Sequence, residues 1–487
     1  MRDSGPARAS VNANPEMAVN QHSSISARIA PLLYFSNNWI SRVGVFLVTL
    51  AGVLWLFLLP SYLGGHASNA YVGIALFLIL PVVFFAGLGL IPLGILLRRR
   101  RGLPLADDLP PLSWNSPHLR RLAVFVVLAT GANLVIGSNL TYRAVEHMDS
   151  VQFCGATCHV VMKPEFTAYQ NSPHSRVECV KCHIGPGASW FVQSKLSGAH
   201  QLIAVALNNY ERPVPTPVSN LRPARETCEG CHWPDKYGSD RLRVITHFSD
   251  SGEETKSVLL MRIGGGGVRG KGIHTAHAGQ GVKIRYAHAD KGRQTIPWVE
   301  YTRDGKSVEY LASKANKEDV ARMEVREMDC IDCHNRPSHT FETAERAIDN
   351  AIAGGGIDRT LPMVRKVALD AIKRPFDTTE QAEREIPAAV EAFYKKDHPQ
   401  RGADAAKAGR TALDVWSRNV FPEMRVKWGT YPNNIGHQDY PGCFRCHDDD
   451  HKSAEGKTVG QDCNACHQML AMEEKDPKIL TDLAGGK

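Results

Sequence analysis

All twelve cysteines of this 487-residue chain occur as six closely spaced pairs, and a histidine follows each pair directly. Five pairs have the spacing C-x-x-C-H, and the first has three residues between its thiols. No cysteine is left over for any other role. The six motifs are Cys154/Cys158-His159, Cys179/Cys182-His183, Cys228/Cys231-His232, Cys330/Cys333-His334, Cys443/Cys446-His447 and Cys463/Cys466-His467.

This spacing is typical of covalent c-type haem attachment. The two thiols bind the porphyrin, and the adjacent histidine becomes the proximal ligand of the iron. A zinc knuckle or a redox-active cysteine pair would account for one such motif, but six without exception favour haem. We expect six haem c groups, or five if the irregular Cys154/Cys158 site is empty.

The first 140 residues contain no cysteine motif and include the long apolar runs of the chain. Residues 1–36 show no periodic apolar pattern, so we predict a disordered N-terminus. Residues 37–140 contain three apolar runs, at 39–59, 70–97 and 122–140, and runs of about 18 or more such residues are candidate membrane spans. The sequence therefore predicts a membrane anchor of three helices.

The basic residues predict its orientation. Arginines cluster between the second and third runs, whereas the short loop 61–69 has no Lys or Arg. Positive charge stays on the cytoplasmic side, which places the N-terminus inside and everything after Thr141 in the periplasm. No small-residue cleavage site follows the first run, so we expect an uncleaved anchor in the inner membrane. The net charge of +7 includes these arginines, and no basic stripe interleaved with aromatics predicts nucleic-acid binding.

The outer part is expected to be mainly α with little regular structure, because haem groups would replace an aliphatic core. Three motifs fall in 141–240, which we predict to be a first haem domain. Alternating apolar residues in 241–315 predict a small antiparallel β insertion. The last three motifs fall in 316–487, with a helical spacer predicted over 341–418 from its helical spacing.

An iron with ligands on both faces carries electrons, whereas an open iron can bind a substrate. The outer part has more spare histidines than irons, so every iron can be capped. Met162 is three residues after His159 and is either a thioether ligand or a packing residue. The distal candidates are Met162, His174, His274, His277, His339, His437 and His451.

Residues 153–202 resemble the NapC/NirT/NrfH family of membrane-anchored quinol dehydrogenases. The resemblance rests on an apolar run leading into the first motif and on the segments Cys158-His-Val-Val-Met-Lys-Pro164, Ser172-Pro-His174 and Cys179-Val-Lys-Cys-His183. The downstream segments Gly272-Ile-His274, Cys330-Ile-Asp-Cys-His-Asn-Arg-Pro-Ser-His339 and Pro441-Gly-Cys-Phe-Arg-Cys-His447 are similar to the ImcH-like inner-membrane cytochromes of metal-respiring bacteria.

The resemblance implies oxidation of menaquinol from the membrane pool beside the first haem, and electron delivery to periplasmic c-type cytochromes. Lys195 matches a family position beside the quinol, although a lysine reaching the bilayer surface is an equal alternative. Glu146, Asp149, Glu165 and His200 are further candidates for the base that accepts the quinol protons. A homo-oligomer or a partner subunit is also compatible with the sequence.

Two other functions remain open at this stage. The chain could be an electron conduit and anchor within a larger respiratory complex whose partner binds the quinol. A terminal nitrite or hydroxylamine reductase is less favoured, because all six motifs end in His and distal ligands are plentiful.

Overall fold

The computed structural model describes residues 38–63, 76, 79–100, 115, 117–156, 159–184, 196–198, 200–201, 203–218, 222–233, 240–265 and 271–485. The predicted disordered segment 1–36 lies outside these ranges. The chain divides into two compact units, one ending at Ala144 and the other comprising essentially all residues from Val145 onward. The second unit contains all six cysteine motifs.

Two long apolar helices pack against each other in the first unit, α1 (Trp39–Leu63) and α2 (Leu80–Arg99). Their backbones approach closely at two glycines: a Cβ built on Gly44 would lie 2.7 Å from the carbonyl oxygen of Gly87. Small residues at such contacts are typical of helix pairs in membranes. Within the described ranges, these two helices are the ones long and apolar enough to cross a bilayer.

The third predicted span corresponds to a helical run that changes character along its length. It consists of α3 (Pro117–Ala132), a π-helical turn (Asn133–Gly137) and α4 (Ser138–Asp149). The buried Asn133 amide donates to the carbonyl oxygen of Phe46 (3.0 Å) and to Thr49 Oγ1 (3.2 Å). The regular helix α3 has 16 residues, fewer than the roughly 20 that a span needs, so the third span stays a prediction.

Short helices carry most of the cysteine motifs in the second unit. They have four to six residues each, and Gly442–Arg445 in the fifth motif is a 3-10 turn. The helices are α5 (Val151–Ala156), α7 (Cys179–His183), α8 (Ala224–Cys228), α11 (Cys330–Cys333) and α16 (Cys463–Cys466); the longer α6 (His159–Gln170) follows the first motif.

The β structure is antiparallel, as predicted, but forms two sheets where one insertion was expected. Sheet A has the strand order β1-β2-β7 and sheet B the order β5-β4-β3-β6. Strands β6 and β7 come from outside 241–315. Strand β6 precedes the fourth motif, and β7 continues directly from the sixth. The strands are β1 (Arg241–Phe248), β2 (Glu254–Met261), β3 (Val282–His288), β4 (Trp298–Arg303), β5 (Lys306–Leu311), β6 (Glu324–Glu327) and β7 (His467–Glu474); the short helices α9 (Ile273–Ala278) and α10 (Lys317–Val320) lie between strands.

The segment predicted as a helical spacer forms four helices around an apolar core. They are α12 (Ala344–Ala353), α13 (Val364–Ile372), α14 (Thr379–Asp397) and α15 (Gly402–Asn419), and the chain ends with α17 (Lys478–Leu483). Thr343 and Thr378 cap α12 and α14, since each threonine side chain accepts from a backbone N–H of the first turn. Ile348, Ile386 and Trp416 are almost fully buried between these helices.

Candidate functional site

Five motif histidines each face a histidine from a distant part of the chain. The ring centres of His183 and His339, of His334 and His274, and of His467 and His437 are all 6.2 Å apart. The pairs His232–His174 and His447–His277 are 5.9 Å apart. Each of these motif histidines therefore has one partner, and each partner is one of the candidates selected from the sequence.

This spacing is what a metal held between two imidazoles requires. A metal–imidazole nitrogen bond is about 2 Å long and the ring centre lies roughly 1 Å behind the nitrogen, so two rings on opposite faces of one metal have centres about 6 Å apart. The residues therefore fit a haem iron with two axial histidines. Among the described residues, no group of three or more His, Cys, Asp or Glu side chains is arranged to hold a bare metal ion.

Backbone carbonyls set the orientation of several of these rings. A carbonyl can only accept, so each ring donates its Nδ1–H and leaves Nε2 as the nitrogen available to a metal. The Nδ1 contacts are His174 to Pro337 (3.2 Å), His274 to Gly264 (3.3 Å), His277 to Ile273 (2.8 Å), His339 to Glu165 (2.9 Å) and His447 to Gly460 (3.0 Å).

Burial favours, in some of these rings, the neutral form that can bind iron. Loss of solvent lowers the pKa of His183, and its neighbour His339 lowers it further. Burial likewise lowers the pKa of His277 and His334.

One short helix carries two of the partner histidines. His274 and His277 are three residues apart on α9, so they share one side of the helix. The backbone N–H groups of Ile273 and His274 donate to Arg262 (2.8 Å) and Ile263 (2.9 Å), which anchors α9 to the end of β2. The fourth and fifth motifs thus share a single supporting element.

The sixth motif is built into sheet A. His467 begins β7 and pairs with Met261 on β2, and the N–H of Arg262 donates to the carbonyl of Cys466 (2.8 Å). The partner ring of His437 stacks on Phe444 of the fifth motif, with centres 4.2 Å apart. The end of β2 therefore positions ligands for three motifs.

The motif cysteines differ in how far the polypeptide covers them. None of the described cysteines is in a disulfide. Several of them lie at the protein surface, because the polypeptide alone covers only part of each motif. The exposed cysteines are Cys182, Cys231, Cys443 and Cys463, and the other described ones are half-buried.

Cys231 of the third motif shows this difference within one site. Cys231 is exposed, whereas Cys228 is half-buried. The backbone N–H groups of Cys231 and His232 both donate to the carbonyl of Cys228, at 3.1 and 2.7 Å. This turn fixes the backbone of the motif although the Cys231 side chain is exposed. Haem attachment through Cys231 stays a prediction from the motif spacing.

Motif cysteines from different sites contact each other at two places. A side-chain hydrogen bond from Cys154 lowers the pKa of Cys179 to about 7. The Cys228 thiol similarly bonds that of Cys330, which lowers the pKa of Cys228. The first site is thereby adjacent to the second, and the third to the fourth.

Other motif cysteines interact electrostatically with a cysteine of the next motif. Burial raises the pKa of Cys182, and Cys228 raises it further. Burial and then Cys443 raise the pKa of Cys466. Burial raises the pKa of Cys333 to about 11, with Arg445 opposing this rise and Cys443 adding to it. These interactions link motifs that are consecutive in sequence.

Within the described part of the chain, buried polar atoms without hydrogen-bond partners lie beside several motifs. They are Arg222 Nε and Thr227 Oγ1, which precede Cys228, Arg293 Nε and His467 Nδ1. Such atoms in a native interior call for a further hydrogen-bonding group. A haem c brings two carboxylates, so these donors fit that cofactor.

The first motif is described in part. Cys158 lies outside the described residues, as does the side chain of His159, and Met162 is half-buried on α6. Gly155 is buried, and a Cβ there would collide with the Phe166 ring. The irregular spacing thus places a glycine where a larger residue would not fit, and ligation by Met162 stays a prediction.

His451 requires a correction. Its Nδ1 bonds to Asp448 Oδ1 (2.9 Å), and its Nε2 donates to the carbonyl of Ile296 (2.8 Å). It is 1 % exposed, and neither ring nitrogen is available to an iron. Its spacing after His447 predicted a ligand, but the side chain instead ties the fifth motif to the loop before β4.

The three candidate residues of the quinol site, Lys195, Glu165 and His200, differ in what the structure shows of their surroundings. His200 is exposed and Lys195 lies outside the described residues. Both carboxylate oxygens of Glu165 accept from Arg336, at 2.9 and 2.7 Å. This buried ion pair argues against Glu165 as a proton-accepting base. Arg336 was missed in the sequence, although it lies inside the segment between His334 and His339.

Comparisons with known proteins also match this chain to c-type cytochromes. Residues 117–214 match the N-terminal region of the NapC/NirT cytochrome c family. The chain is 41 % identical to the cytochrome c-type protein ImcH of Geobacter sulfurreducens over 452 residues, covering 90 % of this chain and 88 % of that protein. No solved structure matches it.

Proposed function

This chain belongs to the NapC/NirT cytochrome c family, as a homologue of ImcH, and we propose that it oxidises menaquinol and passes the electrons to periplasmic c-type cytochromes. The proposal places the protein in the inner membrane, with the N-terminus inside and the haem domain in the periplasm. It includes three spans and six haems, the first with Met162 as its distal ligand. The activity is that of a quinol:cytochrome c oxidoreductase in anaerobic or metal respiration.

The observation that carries this proposal is the set of five histidine pairs. Each pair would supply two nitrogens to a haem iron, which would leave no open position for nitrite or hydroxylamine at these five sites. Closed coordination favours electron transfer over terminal reduction. When bound, each haem takes up and releases one electron at a time.

The reaction balances with two such acceptors. Menaquinol loses two electrons and two protons and becomes the quinone, and two one-electron cytochromes are reduced. The protein must accept the protons at its own side chains. Because Glu165 is occupied by Arg336, we assign this role to His200, with Glu146 and Asp149 as alternatives, and place Lys195 beside the quinol as a binding residue.

The experiment is reduction of the purified full-length chain by a menaquinol analogue in nanodiscs. We expect haem reduction without any partner subunit. Lys195→Gln and His200→Gln should slow it, with haem content unchanged, because a cation beside the quinol and a proton acceptor are lost. Lys396→Gln, an exposed lysine of α14, is the matched control and should be indistinguishable from the unmodified protein.

Two results would contradict the proposal. Absence of any reduction by the analogue, in protein that dithionite reduces fully, would instead favour the electron-conduit function. Unchanged kinetics in both variants would remove Lys195 and His200 from the quinol site.

A further inference from the structure

A buried ion pair links the helix after the first motif to the partner histidine of the second. Glu165 lies on α6 and Arg336 follows the fourth motif. Their side chains are only 13 % and 6 % exposed, and one guanidinium nitrogen contacts both carboxylate oxygens. Such a pair is costly to bury unless further contacts satisfy it.

Those further contacts converge on His339. The Nδ1–H of His339 donates to the backbone carbonyl of Glu165 at 2.9 Å, and the Glu165 carboxylate lies 3.3 Å from the same nitrogen. Arg336 Nε donates to the backbone carbonyl of His339 at 2.6 Å. Both members of the ion pair therefore hold the residue that faces His183.

Aromatic rings hold the guanidinium in place. Its central carbon lies 4.2 Å from the ring centre of Tyr431 and 5.1 Å from that of Phe341. Arginine over an aromatic face is a favourable arrangement, more so when solvent is excluded. Arg336 is thus fixed by charge, by a backbone hydrogen bond and by two rings.

We propose that Glu165 and Arg336 are positioning residues that orient His339 and set the reduction potential of the haem held by His183 and His339. This inference rests on the assignment of that histidine pair as axial ligands in the proposed function. A carboxylate behind Nδ1–H makes the imidazole a stronger electron donor and fixes its orientation. Glu165 favours the oxidised iron, and Arg336 offsets part of that effect with its opposite charge.

The two substitutions have opposite expected effects. Glu165→Gln removes the negative charge and leaves Arg336 buried, so the midpoint potential of that haem shifts upward. Arg336→Gln leaves the carboxylate uncompensated beside the ring, so the same midpoint shifts downward. Simple loosening of the structure would not produce shifts of opposite sign.

The measurement is a spectropotentiometric titration of the full-length protein in nanodiscs, with near-infrared magnetic circular dichroism to identify axial ligands. His339→Met marks the affected haem by converting its His/His signature to His/Met. Asp349→Asn is the matched control, because Asp349 is also a buried carboxylate paired with an arginine, Arg365 (2.6 and 3.2 Å), but lies in the helical core.

We expect one midpoint to move up in Glu165→Gln and down in Arg336→Gln, with the other haems and Asp349→Asn unchanged. Shifts of the same sign, or none, would overturn the inference.

If Glu165→Gln does not assemble, Arg336→Gln decides alone: a downward shift supports the inference, and no shift or an upward one overturns it. Because dithionite supplies the electrons, failure to oxidise quinol would not affect the result. A His/His signature that survives in His339→Met would instead show that the ligand assignment itself is wrong.

Discussion

At the scale of single residues, Asp332 shows how an intervening motif position acquires a structural role. It lies between Cys330 and Cys333 and is 3 % exposed. Its carboxylate accepts from the Tyr286 hydroxyl (2.6 Å) and from the backbone N–H of Asp329 (2.6 Å). Arg293 and Arg326 also donate to it, at 3.2 and 3.1 Å.

Asp332→Ala should destabilise the protein by about 3 kcal/mol, because it leaves the buried Tyr286 hydroxyl and two half-buried guanidinium groups without their acceptor. The loss is measured as a lower midpoint of thermal unfolding, followed by circular dichroism of the purified protein. Asp482→Ala, which breaks the exposed pair with Lys478, should leave that midpoint unchanged. Equal effects of the two substitutions would show that Asp332 stabilises nothing.

Single residues also differ in whether the sequence could predict their place in the site. The haem cysteines and proximal histidines follow from their spacing, and five of the distal candidates face a motif histidine. The sequence did not predict which distal histidine faces which motif histidine, because the fold brings together residues that are far apart in the chain. His339 is five residues after His334 but faces His183, and His451 faces the loop before β4.

At the scale of elements, the placement of α9 depends on one glycine. Gly272 has a φ of 128°, and a Cβ there would lie 2.5 Å from the carbonyl oxygen of Arg262 and 2.8 Å from the nitrogen of Gly264. The chain leading into α9 is thus held close to the end of β2. A side chain at this position would displace the helix that carries His274 and His277.

Gly272→Ala should therefore disturb two haems together. We expect the His/His signatures of the fourth and fifth sites to weaken in parallel, while the second and third remain, as seen by near-infrared magnetic circular dichroism. The control is Gly305→Ala, since Gly305 also has a positive φ (79°) but no atom within 4 Å of a new Cβ. Loss of one signature alone would contradict a shared support.

The helical core predicts a response to alkaline pH. Tyr394 on α14 is fully buried, its hydroxyl donates to the carbonyl of Pro362 (2.9 Å), and burial raises its pKa to about 12. In the unfolded chain it ionises near pH 10, so the folded state holds the proton more tightly between these values. Stability should fall by up to about 2 kcal/mol as the pH rises from 10 to 12.

Tyr394→Phe should flatten this decline, because the ionisable hydroxyl is absent. The measurement is the thermal unfolding midpoint of both proteins between pH 8 and 12. Parallel curves for the two proteins over that range would assign the alkaline loss to other groups.

Elements differed in how well the sequence predicted them. Alternating apolar residues predicted the strands between 241 and 311, and helical spacing predicted α12 to α15. Strand β7 gave no such signal, since Gln468-Met-Leu-Ala-Met-Glu473 is rich in helix-forming residues. Pairing with β2 overrides that preference.

At the scale of the whole molecule, interactions between motif cysteines link motifs that are consecutive in sequence. We therefore expect electrons to pass from the fourth site to the sixth through the fifth. Removing it should isolate the last site from electrons that enter at the first.

The double substitution Cys443→Ala/Cys446→Ala tests this order. We expect a menaquinol analogue to reduce the first four haems at the unmodified rate and the sixth much more slowly, as followed by stopped-flow absorbance. Dithionite, which reaches each haem from solution, should reduce all five remaining haems and serves as the control. Uniformly fast reduction by the quinol would reveal a second route to the sixth site.

The most direct test of the central claim is a count of axial ligand types in the fully oxidised protein by near-infrared magnetic circular dichroism, scaled to haem content per chain. The five histidine pairs predict five low-spin His/His haems per chain. Fewer than five, or a high-spin haem among the second to sixth sites, would contradict the ligand assignment and the electron-transfer function built on it.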